Sequence, residues 1–376
     1  MQFAQIIGQK SLKRELINIV KEGRVAHSLL FVEAPTYGAL PLSLALATYI
    51  LCSNRGEEDS CGECQNCRLI KKLSHPDIHF SLPVNSGGKI KGEKRLLTDP
   101  FLAPWREAFI ANPYITPAEW SREIGLESKG GFIGVGEASS LLGKLNLRSY
   151  GGREKCVIMW LPETMNREAA NRLLKFFEEP PSATHIFMVS QSPEKLLATI
   201  LSRCQLIRVP PIELPILEAE VEQKYRLSGE EAKSLAKVSG GSLSRVVELI
   251  KYSENSASYE RELKALLEGS IERELTKVLE FSERVAQMGR EEQKLFLSYS
   301  IEYIRAIIVL SAGADGATAL PPSKEKELQY WSKKIKSNQL IRGYKLMEEA
   351  LQDLNRNVNS KYLFADLSNR FYLYLK

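Results

Sequence analysis

Four of the six cysteines in this 376-residue chain lie close together, with a spacing that suits a metal site. Cys52, Cys61, Cys64 and Cys67 follow the pattern C-x8-C-x2-C-x2-C through a polar, glycine-containing segment. Four thiolates can enclose one zinc ion tetrahedrally, and the two-residue gaps let successive cysteines converge on it. Because four thiolates leave no open position for water, the pattern predicts a structural zinc ion and argues against a catalytic one.

Disulfides or mixed ligands are the alternatives for this cluster. The N-terminal sequence MQFAQIIGQKSLKRE lacks the apolar core of a signal peptide, so we expect a cytoplasmic, reducing environment in which disulfides are rare. His75 or His79, in the nearby SHPDIHF segment, could replace one cysteine ligand, but a surface or strand position accounts for both more simply. Cys156 and Cys204 are isolated and are predicted to be buried apolar thiols.

Composition and charge exclude disordered, fibrous and strongly basic classes of protein. Hydrophobic residues make up 44% of the chain and charged residues 26%, as in ordinary globular proteins. Lys and Arg number 51 against 46 Asp and Glu, and a formal charge of +5 is too small to indicate nucleic-acid binding by itself. The most apolar stretch, 28–52, contains Glu33, Pro35 and Pro41, which argues against a membrane span.

Short apolar segments alternate with helical patterns through the first half of the chain. The predicted strands are 27–32, 78–82, 155–161, 185–190 and 206–209. Since each is almost wholly apolar, we expect a parallel sheet that helices cover on both faces. Helical patterns dominate afterwards, so the predicted architecture is an α/β domain at 1–211, a small helical domain at 212–252 and a larger helical domain at 253–376.

Residues 84–131 interrupt this alternation and are interpreted as an insertion with short helices. The segment is rich in Gly, Pro, Lys and Trp. Its basic residues, Lys89, Lys91, Lys94 and Arg95, could contact DNA or a partner, but a solvated loop is the simpler interpretation.

The first strand, its loop and the following helix occupy the place of a nucleotide-binding phosphate loop. In the motif G-x-x-x-x-G-K-[ST], glycines let backbone amides cradle phosphates, Lys neutralises them and the hydroxyl holds magnesium. In the segment EAPTYGAL only Gly38 matches, because Glu33 replaces the first glycine, Ala39 the lysine and Leu40 the hydroxyl residue. An anionic side chain at the mouth of the loop would repel phosphate, so we expect no ATP binding.

The strand at 155–161 supports the same conclusion. A pair of magnesium-holding acidic residues should follow it, but Trp160 and Leu161 stand there, and Glu163 lies too far along to replace both. The residues by themselves therefore predict the topology of a P-loop protein without ATPase activity.

Several short segments, in a fixed order, carry a resemblance to a known family. They are Ile7-Gly8-Gln9, RVAHSLLF at 24–31, the cysteine module followed by SHPD at 74–77, Met165-Asn166, ANRLLK at 170–175, EEPP at 178–181, SRCQ at 202–205, and Gly240-Gly241-Ser242 with Arg245. Together they resemble the delta-prime subunits of bacterial DNA polymerase III clamp loaders, which are AAA+ proteins. The resemblance covers residues 1–250, and beyond that only helical character and length match.

The resemblance implies an AAA+ core that includes the zinc module at 52–67, a helical lid, and a C-terminal helical collar that joins a ring of five subunits. It implies a subunit without enzymatic activity or bound ATP, belonging to the DNA polymerase III holoenzyme, a nucleotidyltransferase complex. The implied partners are gamma/tau and delta subunits and, through the assembled complex, the sliding clamp and primed DNA. No membrane is implied.

The resemblance also implies a role for Arg203, the arginine of the Ser-Arg-Cys motif. Delta-prime subunits present this arginine to the ATP of a neighbouring subunit, where a guanidinium stabilises charge on the γ-phosphate and needs no nucleotide on its own chain. Without the flanking motif, Arg203 would be interpreted as a surface or salt-bridged arginine. Arg245 matches a nucleotide-sensing position, but in a chain without a phosphate cradle we expect it to brace the lid.

Two other functions remain open from the sequence. One is an active gamma/tau-type ATPase of the same loader, which Ala39 and Leu40 argue against. The other is a separate zinc-containing DNA-binding protein, which the small net charge does not favour.

Overall fold

A computed structural model describes most of the chain. The described residues are 1–33, 36–85, 97–126, 130–150, 154–313, 324–355 and 358–375. The basic residues Lys89, Lys91, Lys94 and Arg95 lie outside these ranges.

Five strands form a single, wholly parallel sheet. They are β1 (Ser28–Val32), β2 (Ile78–Ser81), β3 (Lys155–Trp160), β4 (Thr184–Ser190) and β5 (Gln205–Arg208). Their order is β2-β3-β4-β1-β5, so β1 lies between β4 and β5, with Val32 opposite Ser190 on one side and Arg208 on the other. Buried residues occupy almost every position of β1, β3 and β4, as expected for strands covered on both faces. The predicted α/β domain with a parallel sheet is confirmed.

Helices connect the strands along the chain and cover the sheet. They are α1 (Lys10–Lys21), α2 (Ala39–Leu51), α3 (Gln65–Lys71), α4 (Leu102–Ala111), α5 (Pro117–Glu123), α6 (Val135–Leu145), α7 (Arg167–Glu178) and α8 (Ala198–Leu201). Every residue of α2 is buried, because this helix runs directly beneath the sheet from the end of β1. Asn166 caps α7 by accepting a hydrogen bond from the Ala169 amide.

The described part of the chain after β5 is mainly helical. Its helices are α9 (Leu214–Tyr225), α10 (Gly229–Ser239), α11 (Leu243–Ile271), α12 (Leu275–Gln287), α13 (Arg290–Ser311), α14 (Glu325–Lys334), α15 (Ser337–Asn355) and α16 (Ser360–Tyr374). The chain forms two compact units, one of residues 1–220 with 240–245 and the other of residues 221–239 with 246–376. The predicted boundaries at 211 and 252 stay a prediction. Within the described ranges, no helix has both the length and the apolar character needed to cross a membrane.

The described part of the insertion is built into the hydrophobic core of the sheet domain. Helices α4 and α5 bury Trp105 and Trp120 completely, and the two rings meet edge to face at 5.2 Å. Trp105 also packs against Phe80 of β2 at 6.0 Å and Trp160 of β3 at 5.3 Å. The sequence suggested mainly surface segments here, whereas the helices of the insertion supply the centre of an aromatic cluster over the sheet.

This packing predicts that Trp105→Ala destabilises the sheet domain. Removal of a fully buried indole leaves a cavity beside Trp120 and Trp160, which costs about 3–5 kcal/mol. Urea denaturation, followed by circular dichroism, measures the change in the free energy of unfolding. Ile110→Ala on the same helix is the matched control, because Ile110 is 57% exposed and its truncation should cost less than about 0.5 kcal/mol. Equal stability of the two variants would contradict the proposed packing.

Candidate functional site

The four clustered cysteines come from the end of one helix, a loop and the start of another helix. Cys52 follows α2, Cys61 lies in the loop, Cys64 is the N-cap of α3, and Cys67 lies in the first turn of α3. The Sγ atom of Cys52 lies 3.5 Å from that of Cys61 and 4.0 Å from that of Cys64, and the Sγ atoms of Cys61 and Cys67 are 3.9 Å apart. All four sulphur atoms lie within 4.8 Å of one another.

This sulphur geometry fits one tetrahedral metal ion. Zn–S bonds of about 2.3 Å place the four sulphurs of a regular tetrahedron about 3.8 Å apart, close to the separations seen here. Backbone amides also point at the sulphurs: the N–H of Cys61 donates to Sγ of Cys52 at 3.4 Å, that of Cys64 to Sγ of Cys61 at 3.3 Å, and that of Cys67 to Sγ of Cys64 at 3.5 Å. The four cysteines could therefore hold a metal ion as thiolates.

Local hydrogen bonds favour the thiolate of one member of the cluster. Burial raises the pKa of Cys64, but hydrogen bonds from the amides of Cys67 and Ser53 and from neighbouring thiols outweigh it and lower the pKa to about 6. All six cysteines are free thiols, so the disulfide alternative is not realised. The metal-capable group in the described chain consists of cysteines alone, since Nδ1 of His75 accepts a hydrogen bond from the Asp77 amide and His79 lies on β2.

The Glu33 side chain folds into the loop between β1 and α2. Glu33 is only 2% exposed, and its Oε2 accepts hydrogen bonds from the backbone amides of Tyr37 at 2.6 Å and of Gly38 and Ala39 at 2.9 Å each. In a working phosphate loop, successive amides at the start of the helix face the phosphates. The sequence placed Glu33 at the mouth of the loop as a repelling charge. In the structure its carboxylate instead lies inside the loop and is bound by the amides.

The environment of Glu33 sets its acidity. Burial raises the pKa of this carboxyl from 4.5 to about 7, although the amides of Ala39, Tyr37 and Gly38 oppose the shift. Gly38 has a φ of 110°, which only glycine adopts easily, and an added Cβ would lie 3.1 Å from the ring of Tyr114. Gly38 is thus held by a hydrogen bond to Glu33 on one side and lies against the ring of Tyr114 on the other.

The other positions that would bind nucleotide and magnesium in a P-loop protein hold side chains that are buried or hydrogen-bonded within the chain. Ala39 and Leu40 are fully buried, so neither offers a polar group to a ligand. Trp160 packs in the aromatic cluster described above, and Glu163 accepts hydrogen bonds from the amides of Gln191 at 2.8 Å and Ser192 at 3.1 Å. Glu163 therefore organises the end of β4, a role that its position in the sequence did not indicate.

Arg203 lies between α8 and β5, at the other edge of the sheet from Glu33. Because β1 and β5 are parallel, with Val32 opposite Arg208, a residue after β1 and a residue before β5 lie at opposite edges, separated by at least the length of the four-residue strand, about 13 Å. The Arg203 side chain is 35% exposed, forms an ion pair with Glu178 at 2.7 Å and donates to the carbonyl oxygen of Thr199 at 2.8 Å. The structure does not bring Arg203 and the loop together. Its partner Glu178, in the EEPP segment, was missed as a contact because that ion pair joins distant parts of the chain.

Cys156 and Cys204 differ in their surroundings. Cys156 is completely buried in β3, as predicted, and burial raises the pKa of its thiol well above the usual range. Cys204 is only partly buried, and its burial raises the pKa of the thiol to about 11. Neither thiol is activated for chemistry.

The raised pKa of Glu33 predicts a pH dependence of stability. The folded chain holds the Glu33 proton more tightly than the unfolded chain, so the free energy of unfolding falls as pH rises from 4.5 to about 7. The contribution of this single group is roughly 3 kcal/mol. Denaturant unfolding of wild type and Glu33→Gln across this pH range measures it. Glu33→Gln keeps an oxygen for the amides but has no charge to titrate, so the difference between the two proteins should vary with pH. A constant difference would contradict the prediction.

Comparison with known proteins places this geometry in a family. The family described as DNA polymerase III, delta subunit, matches residues 8–213, more than half of the chain. A DNA polymerase III subunit delta' of Yersinia pestis is 31% identical over 193 residues, which cover 51% of this chain and 44% of that protein. The Bacillus subtilis (strain 168) subunit delta' is 25% identical over 258 residues, covering 69% and 63%.

A DNA polymerase III subunit tau of Salmonella typhimurium is also similar, at 24% identity over 220 residues that cover 58% of this chain and 27% of that protein. The chain spans about half the length of the delta' relatives that it matches. The family match runs from just before α1 to just beyond β5 and so includes the cysteine cluster, Glu33 and Arg203. The chain belongs to the delta-prime family of DNA polymerase III subunits.

Proposed function

We propose that this chain is a non-ATP-binding, delta-prime-type subunit of the DNA polymerase III clamp loader. In this role it helps to load the sliding clamp onto primed DNA during replication, in a five-subunit ring with gamma/tau and delta subunits in the cytoplasm. The observation that carries the proposal is the engagement of the phosphate-loop amides by Glu33, beside the buried, apolar Ala39 and Leu40. The chain would then have no enzymatic activity of its own.

The same proposal assigns Arg203 to the ATP of a neighbouring subunit. Its charged group lies at the surface, and it is at the sheet edge away from the filled loop of its own chain. A guanidinium supplied from outside can stabilise charge on a transferring γ-phosphate. To do so, Arg203 must exchange Glu178 for the phosphate, and an exposed ion pair of this kind costs little to break.

An active gamma/tau-type ATPase is the alternative, and the similarity to a subunit tau is the observation that supports it. It would need a cation and a hydroxyl group at the start of α2, where the structure has two buried apolar side chains. The geometry therefore favours the delta-prime role.

We assign a structural zinc ion to Cys52, Cys61, Cys64 and Cys67. A bound zinc ion would supply a cross-link between the end of α2 and the start of α3, and the loop between them buries few residues of its own. The sulphur separations and the amide hydrogen bonds to sulphur support this assignment.

Substitution of Arg203 tests the proposed role in trans. In a clamp loader reconstituted with the full chain, Arg203→Ala should slow hydrolysis at the ATP site that it completes by about a thousandfold, because the charge of the transition state loses its partner. Single-turnover ATP hydrolysis in the presence of clamp and primed DNA is the measurement. Arg208→Ala is the matched control, since Arg208 is an exposed arginine on the adjoining strand β5.

Two results would count against the proposed function. Undiminished hydrolysis by the loader that contains Arg203→Ala would remove the role in trans. Measurable binding of a fluorescent ATP analogue by the isolated chain would favour the motor subunit instead.

Metal analysis tests the zinc assignment. We expect about one zinc ion per chain, and we expect Cys64→Ser to lose it, because the ion would keep only three thiolates. A chelator should lower the Tm of wild type but not that of the metal-free variant. Cys204→Ser, outside the cluster, should keep the ion and the Tm. Wild-type protein without metal, or full retention by Cys64→Ser, would refute the assignment.

A further inference from the structure

The Glu33 carboxylate occupies a position built for an anion. Three successive amides, of Tyr37, Gly38 and Ala39, converge on its Oε2 atom at the start of the 13-residue helix α2. Converging amides at a helix N-terminus attract negatively charged oxygen atoms. Here a side chain from the end of β1 supplies that oxygen.

We propose that the Glu33 carboxylate is an intramolecular substitute for a nucleotide phosphate, which occupies the amides of Tyr37, Gly38 and Ala39 at the start of α2. The inference rests on the proposed loss of ATP binding and adds its physical basis. These three amides are already paired with Glu33, so they are not available to a nucleotide.

Three segments that are distant in sequence contact residues 36–38, and these contacts support the assignment. The side-chain nitrogen of Gln9 donates to the carbonyl oxygen of Tyr37 at 3.4 Å, and the same nitrogen donates to Pro210 at 2.6 Å. The hydroxyl of Ser242 donates to the carbonyl oxygen of Thr36 at 3.3 Å.

Tyr114 provides the third contact. Its ring covers Gly38, and its hydroxyl accepts a hydrogen bond from the Ile7 amide at 2.9 Å. A loop that opened and closed around a ligand would have to break these contacts in each cycle. Amides that are already paired with Glu33 allow these contacts to persist. The N-terminal segment, the insertion and the segment 240–245 therefore all contact residues 36–38.

The proposal makes a specific prediction about a chain that lacks the carboxylate. Glu33→Ala leaves three amides without an acceptor and leaves a space where the carboxylate was, so the loop should accept a small oxyanion from solution. Inorganic phosphate is the probe. Glu33→Gln is the matched control, since its side-chain oxygen can still accept from the amides.

The experiment is thermal unfolding of the full chain at pH 8, in phosphate or in sodium chloride of equal ionic strength. We expect phosphate, at about ten times its Kd, to raise the Tm of Glu33→Ala by about 2 °C or more above the value in chloride. Wild type and Glu33→Gln should show only the smaller general increase that phosphate, as a salt excluded from protein surfaces, gives to folded proteins.

Three outcomes would overturn the proposal: no preference of Glu33→Ala for phosphate, an equal effect on wild type, or an equal effect on Glu33→Gln. If Glu33→Ala does not fold at the start, refolding yields from urea in the two salts replace the Tm, and equal yields overturn it as well. ATP binding by wild type would instead contradict the proposed function, so the two failures can be distinguished.

Discussion

The hydrogen bonds between one buried carboxylate and three backbone amides determine what the sheet domain can do. Parallel strands direct their carboxyl ends to one edge of the sheet, and the loop after β1 at that edge is where P-loop proteins bind phosphate. Glu33 follows the last residue of β1, so its side chain reaches the amides of its own loop. Once these amides are paired with Glu33, they are not available to another anion.

The aromatic cluster covers a second position, at the end of β3, where a P-loop ATPase would have an acidic residue. An acidic residue at the end of β3 must stay near solvent and metal, and its replacement by Trp160 lets that strand end be covered. The insertion supplies the cover through Trp105 and Trp120. Burial of three indole rings stabilises the domain by several kcal/mol at roughly 25 cal/mol per Å² of apolar surface. The end of β3, which would face magnesium in an active ATPase, is part of the hydrophobic core in this chain.

The sequence predicts the features that depend on local pattern and not those that depend on long-range contact. Apolar runs such as 185–190 mark the strands because a strand buried on both faces has no polar positions. The cysteines are recognisable because their two-residue gaps are typical of structural zinc sites, in which neighbouring cysteines share one ion. The direction of the Glu33 side chain depends on backbone angles in the loop, and the burial of Trp105 depends on helices that come together only in the folded chain, so residue types alone could not show either.

The separation of Glu33 and Arg203 across the sheet bears on the function proposed for this chain in an assembly. A cation that completed its own phosphate loop would lie at the carboxyl edge, next to α2, and would lose its purpose when that loop was filled. Arg203 precedes β5 at the opposite edge. Its ion pair with Glu178 lies at the surface and involves no atom of Glu33 or of residues 36–38. The proposed loss of a bound nucleotide and the proposed provision of an arginine to another subunit therefore involve separate parts of this fold: Glu33 and Trp160 bear on the first, and Arg203 bears on the second.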